Sequence, residues 1–278
     1  MEGYYRYPAL HKDNLVFVSE DDLWTVSLKG GIPRRLTVAQ GPIRSPVFSP
    51  DGAYLAFTSE HDDYEEVYIV DGEGGPCRRL TFLGSETATV LTWTPDGKNI
   101  LFSSSAKQAL PSATSIWRVA VGGGEPAPLR TGPASSFSFE PDGFGAVLGR
   151  HAADPATSQW KGYRGGQAGD LWVDSSGSQS FTRLLRLEDG NIGQPVWLKG
   201  RRIAFISDHE GEGALYSCCA HTGEDVRLVA RAPHGFYARH LTADVDDPTA
   251  ARLVFSAGGR LYSTAAHPQA GWRALFPS

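Results

Sequence analysis

Phe48-Ser49-Pro50-Asp51-Gly52 returns as Trp93-Thr94-Pro95-Asp96-Gly97 and again as Phe139-Glu140-Pro141-Asp142-Gly143. In each copy an aromatic residue ends a strand, a proline fixes φ, and an Asp-Gly pair turns the chain. An apolar strand follows, Tyr54-Leu55-Ala56-Phe57 after the first and Asn99-Ile100-Leu101-Phe102 after the second. Weaker copies are Leu198-Lys199-Gly200 before Ile203-Ala204-Phe205-Ile206, and Asp13-Asn14 before Leu15-Val16-Phe17-Val18. A last apolar strand of this kind is Leu253-Val254-Phe255.

Working outward, a second landmark follows each turn. It is an apolar–aromatic pair in a third strand: Leu23-Trp24, Val67-Tyr68, Ile116-Trp117, Leu171-Trp172, Leu215-Tyr216 and Leu261-Tyr262. Their aromatic members lie 44, 49, 55, 44 and 46 residues apart. A basic–apolar fourth strand after a Gly-rich turn closes the unit, as in Gly30-Gly31…Arg35-Leu36-Thr37 and Gly74-Gly75…Arg79-Leu80-Thr81. Looser copies are Gly123-Gly124…Leu129, Arg183-Leu184, Arg227-Leu228 and Arg273-Ala274-Leu275.

Four strands in roughly 45 residues, repeated, is the signature of a propeller blade, which must be covered by its neighbours. The chain is therefore expected to be all-β, a single six-bladed β-propeller of four-stranded antiparallel blades. The blades fall at about 4–41, 42–84, 85–132, 133–190, 191–234 and 235–278. The fourth carries an insertion, His151 to Gly169. An innermost strand at Tyr5–Leu10 and a final fourth strand at Arg273–Phe276 leave none over. The expected ring is closed by side-chain packing, without strand exchange.

Composition agrees with this. Of 278 residues, 32 are Gly and 18 Pro, with thirteen Phe, ten Tyr and seven Trp, as short aromatic strands and turns require. The net charge of −5 argues against a nucleic-acid partner. No apolar run approaches the ~20 residues of a membrane span, and the first residues have no signal-peptide core. Cys77, Cys218 and Cys219 make no disulfide framework, since strand neighbours point to opposite faces. A soluble protein of the reducing cytoplasm is expected.

The Pro-Asp-Gly repeat is similar to the propellers of TolB and of many peptidases, a likeness of fold alone. Longer stretches are more specific. Trp160-Lys161-Gly162-Tyr163-Arg164-Gly165-Gly166 with Asp170-Leu171-Trp172-Val173 resembles the fourth-blade insertion of the tricorn protease family. Asp21-Asp22-Leu23-Trp24 resembles that family's first blade, and Tyr237-Ala238-Arg239-His240-Leu241 its sixth. The resemblance covers essentially the whole chain and implies the family's N-terminal six-bladed propeller. In that family a seven-bladed propeller, a PDZ-like domain and two mixed domains with a Ser/His serine-peptidase site follow. The resemblance further implies a large homo-oligomer, through the full-length protein, that cleaves short peptides. In the family, two adjacent arginines before the third blade's innermost strand anchor the substrate's carboxyl terminus. Gly84-Ser85-Glu86-Thr87-Ala88-Thr89-Val90 occupies that place here and holds no basic residue.

Chemical motifs in the chain are sparse. There is no Gly-x-Ser-x-Gly, so no catalytic residue is assigned. His209-Glu210-Gly211-Glu212-Gly213 lacks the second histidine of a zinc-protease helix and reads as an exposed hairpin turn. The acidic clusters Asp21-Asp22 and His61-Asp62-Asp63 with Glu65-Glu66 have no metal-ligand spacing and read as solvated loops. No metal and no cofactor are expected.

Binding candidates remain. Trp160, Lys161, Tyr163 and Arg164 make either a loop folded over the blade edge or a rim element facing a pore or the next domain. Tyr237, Arg239 and His240 are placed at the start of the sixth inner strand, where alternate side chains would face a central channel, and Arg44 holds a similar place in the second. The expected role is a non-catalytic gate or conduit for peptides and an assembly surface, attached to further domains of the same polypeptide. A stand-alone TolB-like interaction propeller is the alternative. A small-molecule enzyme with funnel carboxylates is disfavoured, because the inner strands are expected to begin at Arg44, Thr89, Ser135, Gln194 and Tyr237.

Overall fold

The computed structural model describes residues 3–38, 41–109, 113–141, 143–150, 165–166, 168–244, 251–267 and 271–276. The chain divides into two compact units, Met1–Pro133 and Ala134–Ser278. The first begins with a sheet of β1 (Arg6–His11), β2 (Asn14–Ser19), β3 (Asp22–Ser27) and β4 (Arg34–Arg35). It continues with β5 (Ile43–Phe48), β6 (Tyr54–His61), β7 (Tyr64–Asp71) and β8 (Arg78–Arg79). Its third sheet is β9 (Ala88–Trp93), β10 (Asn99–Ser104), β11 (Ser115–Ala120) and β12 (Ala127–Pro133).

The second unit repeats the plan. Its sheets are β13 (Ser136–Phe139), β14 (Ala146–Arg150), β15 (Asp170–Asp174) and β16 (Thr182–Leu185); then β17 (Ile192–Leu198), β18 (Arg202–Ser207), β19 (Ala214–Cys219) and β20 (Arg227–Ala230). The last holds β21 (Arg239–Asp244), β22 (Arg252–Ala257), β23 (Arg260–Ala265) and β24 (Arg273–Ala274). Every sheet is four consecutive antiparallel strands, so none takes a strand from the other end of the chain. The expected six blades are all present. The sixth inner strand starts at Arg239 and not at Tyr237, and the final strand is shorter than expected.

The aromatic landmark is explained by cross-strand pairing. Phe17 faces Trp24, Phe57 faces Tyr68, Phe102 faces Trp117, Phe205 faces Tyr216 and Phe255 faces Tyr262 across the second and third strands. Only the fourth blade departs, with Leu148 opposite Trp172. Three pairs are stacked: 5.8 Å and 18° for Phe57–Tyr68, 6.1 Å and 22° for Phe205–Tyr216, 5.6 Å and 26° for Phe255–Tyr262. Such a pair adds about 0.5–1.5 kcal/mol beyond the area it buries.

Both faces of a blade are buried. Ile203 and Phe205 of β18 pack with Val147, Leu171 and Val173 of the preceding blade. Ala204 and Ile206, pointing the other way, pack with Leu253 and Phe255 of the next. A strand covered on both sides reads as an unbroken apolar run, which is why Ile203–Ile206 shows no alternation. In the first unit the second and third blades share a core of Ala56, Val67, Ile69, Val90, Trp93 and Phe102.

First strands are edge strands, and side chains from the preceding blade reach their free backbone groups. Thr58 Oγ1 donates to Ala88 O (2.9 Å) and accepts from Val90 N (2.9 Å). Ser138 Oγ accepts from Trp197 N (3.0 Å), and Gln194 Oε1 accepts from Leu241 N (2.9 Å). These contacts replace a ladder that the blades do not form between them.

Turn and outer-strand chemistry is equally repetitive. Ser49 Oγ donates to Asp51 Oδ1 (2.6 Å) and accepts from Tyr54 N (2.9 Å), while Ala53 N donates to Asp51 Oδ1 (3.0 Å). Thr94 and Asp96 repeat the pattern with Lys98 N and Asn99 N. These bonds, the hydroxyl's first, hold both aspartates below the ordinary carboxylate range. The paired glycines 30–31, 74–75 and 123–124 share one left-handed conformation, with φ of 104° and 133°, 89° and 134°, 90° and 122°.

The Arg-Leu-Thr of the outer strand is a lock. Thr81 Oγ1 donates to the Glu66 carboxylate and accepts from Val67 N (2.9 Å), and Arg79 donates to Glu66 Oε1 (2.8 Å). Thr37, Leu23 N, Arg35 and Asp22 repeat it in the first blade. Asp22, Glu65 and Glu66 are therefore buried ion-pair members and not the solvated loop residues their sequence context suggested; Asp62 and Asp63 do lie exposed.

Removing one partner of such a pair strands the other. Glu66→Gln is expected to cost about 3 kcal/mol, and Thr81→Val about 1–3 kcal/mol, because it leaves Val67 N without an acceptor. Urea unfolding should show lower midpoints with unchanged slopes. Wild-type midpoints in both variants would show that the lock holds nothing.

Candidate functional site

The first strands are where binding groups were expected, and their starts are bent. Registers slip between Arg6 and Ala9, Arg44 and Val47, Gly193 and Val196, and Arg239 and Thr242. Each slip is a bulge centred on a non-glycine residue with positive φ: Tyr7 (48°), Ser45 (48°), Gln194 (53°) and His240 (54°). Left-handed conformations cost a non-glycine residue about 1–2 kcal/mol. Bulges re-aim side chains, so strict alternation cannot be used across these starts. In three of the four a proline follows, Pro8, Pro46 and Pro195, which removes an N–H the bulge would leave over. In the fourth, Leu241 keeps its N–H, and Gln194 accepts it.

Arg44 sits just before Ser45, and its guanidinium is held by Glu60 Oε2 (3.1 Å) and by Glu65. Glu65 also accepts from Ala88 N (3.1 Å). Burial pushes the Glu65 carboxyl above the ordinary glutamate value, outweighing the Ala88 amide and the Arg44 charge. The stretch from Gly84 to Ala88 is fastened by its own bonds: Ser85 Oγ donates to Thr87 O (2.8 Å), Ser104 Oγ donates to Thr87 O (2.7 Å), and Gly84 N donates to Glu66 Oε1 (3.0 Å).

In the last blade, Tyr237 precedes the strand, against Gly213, where an added Cβ would meet its ring at 2.1 Å. Ala238 N donates to Gly213 O (2.9 Å). His240 Nδ1 lies 2.7 Å from Ser256 Oγ, which also donates to Arg239 O (3.3 Å). A second hydroxyl–imidazole pair, Ser207 Oγ with His209 Nδ1, is at 3.0 Å. Both serines are buried on second strands and tie backbone segments together. Neither pair was legible in the sequence: sixteen residues separate His240 from Ser256, and Ser207 and His209, two residues apart, carry no motif that marks them.

Trp160, Lys161, Tyr163 and Arg164 lie outside the described residues. The base of their insertion is described. Arg150 and Asp170 are paired across β14 and β15, the Arg150 guanidinium lies 4.3 Å from the Trp172 ring centroid, and Trp172 Nε1 donates to Asp170 Oδ1 (3.0 Å). The expected hairpin turn at His209–Gly213 is present, with exposed Glu210 accepting from Tyr216 Oη (3.0 Å) and Arg231 (2.6 Å).

Cys218 is buried, its thiol pushed up to about 12 by burial, while Cys219 is only partly covered, as opposite faces require. Among the described residues no group of three or more His, Cys, Asp or Glu side chains could hold a metal ion, and no helix is long and apolar enough to cross a membrane.

Six four-stranded antiparallel blades with almost no helix define a six-bladed β-propeller. The family model of the tricorn protease N-terminal beta propeller domain matches residues 2–269, and the chain belongs to that family. It is 39 % identical over 271 residues to tricorn protease homolog 1 of Streptomyces coelicolor, covering 94 % of this chain and 23 % of that protein. A crystal structure of the tricorn protease superposes with a TM-score of 0.86 at 30 % identity, over 99 % of this chain and 26 % of that one. A protein of Sulfurisphaera tokodaii named as a tricorn-like protease N-terminal subunit is 29 % identical over 182 residues, 62 % of this chain and 87 % of its own length. The chain thus spans about a quarter of the full-length relatives, and the part it matches is their propeller and not a peptidase domain.

The Arg44 cluster gives a pH prediction. A glutamate whose folded pKa is raised contributes stability that is fully present below its unfolded value, ~4.3. That contribution is lost as pH rises through the folded pKa. Arg44→Met removes the nearby positive charge and should raise the Glu65 carboxyl further, read by NMR titration. The variant should lose more stability at pH 7 than at pH 4. An equal loss at both pH values would contradict the assignment.

Proposed function

We propose that this chain is the non-catalytic propeller of a longer tricorn-type serine peptidase, acting as a gate or conduit for short peptides and as an assembly surface. The six blades make one domain, joined in the natural protein to peptidase domains in a cytoplasmic homo-oligomer. The supporting observation is the family match over 2–269 in a chain that spans 23 % of its first full-length relative. Physically, a blade array of buried sheets offers a rigid, largely backbone-defined surface that suits an extended peptide. Its candidate contacts in this proposal are Arg44 in the first unit and Tyr237, Arg239 and His240 in the second, with Trp160, Lys161, Tyr163 and Arg164 as further candidates outside the described residues.

The Sulfurisphaera tokodaii relative favours a second arrangement, in which the propeller is a separate subunit working beside a peptidase subunit. Immunoblotting of native extract separates the two: a single polypeptide about four times this length supports the first, and a band of this chain's own size the second.

Two measurements on the purified chain test the role. Dye-labelled extended peptides should bind saturably, and fluorogenic peptides should not be cleaved. Robust turnover by this chain, or no binding of any peptide, would overturn the proposal.

A further inference from the structure

Three first strands carry an arginine immediately before the left-handed bulge residue: Arg6 before Tyr7, Arg44 before Ser45 and Arg239 before His240. The first two are neutralised by the hairpin joining the second and third strands of their own blade. Arg6 meets Asp21 at 3.4 Å, and Arg44 meets Glu60 and Glu65. In the sixth blade that hairpin is Ala257-Gly258-Gly259-Arg260, with no acid. Among the described residues, the half-buried Arg239 guanidinium has no hydrogen-bond or ion-pair partner.

The acids of the preceding blade do not supply one. Asp208 accepts from Asn191 N (2.7 Å), Glu210 is engaged by Tyr216 and Arg231, and Asp225 by Arg202 and Arg227. Gly193 stands in that blade where the arginines stand in the others. The fifth blade thus has a hairpin acid without the arginine, and the sixth has the arginine without the acid.

A guanidinium partly withdrawn from water and left without an anion is a site for one, because its forked donors match a carboxylate. The backbone that carries it is held in place. The strand is pinned on both sides of Arg239, by Ala238 N on Gly213 O and by Leu241 N on Gln194. The partly exposed Phe236 ring lies against Gly258, where φ is +56° and a Cβ would come within 2.6 Å of it.

We propose that Arg239 binds a carboxylate of a peptide ligand, a role that rests on the peptide-binding function proposed above. The carboxylate belongs either to the chain terminus or to an acidic side chain. The bound anion takes the place that Asp21, Glu60 and Glu65 fill for the other two arginines.

The test uses an N-terminally dye-labelled neutral peptide as free acid and as C-terminal amide, with fluorescence anisotropy as the readout. The free acid should bind about 10- to 100-fold more tightly than the amide, the size of a charge-assisted hydrogen bond. Arg239→Gln should remove that difference, Arg239→Lys should keep part of it, and Arg118→Gln on the exposed face of β11 should leave it intact. If an amidated peptide with an internal Glu binds as well as the free acid, and loses that binding in Arg239→Gln, the side-chain carboxylate is the source. Because Arg239 has no partner among the described residues, Arg239→Gln should unfold at the wild-type urea midpoint. Peptide binding that ignores Arg239 overturns this inference alone; no peptide binding at all overturns the proposed function with it.

Discussion

A phenylalanine in the second strand facing an aromatic residue in the third is the contact on which the blade depends. It recurs in five of the six blades, and three of the pairs are near-parallel stacks. A four-stranded sheet of this length has too little area to be stable alone. The pair fills the middle of one face with rings that are buried in every case but the half-buried Trp24, and gives the next blade a surface to cover. The fourth blade, with Leu148 in place of the phenylalanine, is also the one interrupted by the long insertion, and its third-strand Trp172 is turned to use by Arg150 and Asp170 at the insertion's base.

Blade-to-blade contact requires a second device, since packing sheets face to face leaves the first strands with unpaired backbone. Thr58, Ser138 and Gln194 supply single hydrogen bonds where a ladder is missing. The bulges belong to the same solution. They twist the strand starts away from continuous edge pairing, and the prolines in three of them delete the donor that would otherwise need a partner. Leu241 shows the rule by its exception, because where the proline is absent the neighbouring blade's Gln194 accepts the N–H.

Much of this was legible in the sequence, for reasons that differ from feature to feature. The Pro-Asp-Gly turns and the apolar–aromatic pairs repeat in type and spacing, so the six four-stranded blades could be read directly. What escaped were contacts whose partners differ in type from blade to blade. Tyr7, Ser45, Gln194 and His240 share a backbone conformation and no chemistry, so only the recurring proline after three of them hinted at a bulge. Asp22 and Glu66 look like loop acids until Arg35-Leu36-Thr37 and Arg79-Leu80-Thr81 are folded back onto them. The ion pairs of Arg44 were not legible either, because Glu60 and Glu65 lie 16 and 21 residues away.

That last case bears on how sites should be sought in repeat folds. An arginine on an inner strand is uninformative by itself, since the same repeat that places it can place its acid. The informative comparison is between copies: a charge neutralised in two blades and left alone in a third marks the copy in which the scaffold has stopped supplying the counter-ion. In the sixth blade the two-residue turn is Gly258-Gly259, the same length as Glu20-Asp21 in the first, and Gly258 leaves room for the Phe236 ring, which a Cβ there would meet at 2.6 Å. An acid at that turn would neutralise Arg239 as the first two blades neutralise their arginines. The two glycines adopt the same left-handed turn without strain and leave the Arg239 guanidinium with no counter-charge among the described residues, which the proposed binding explains.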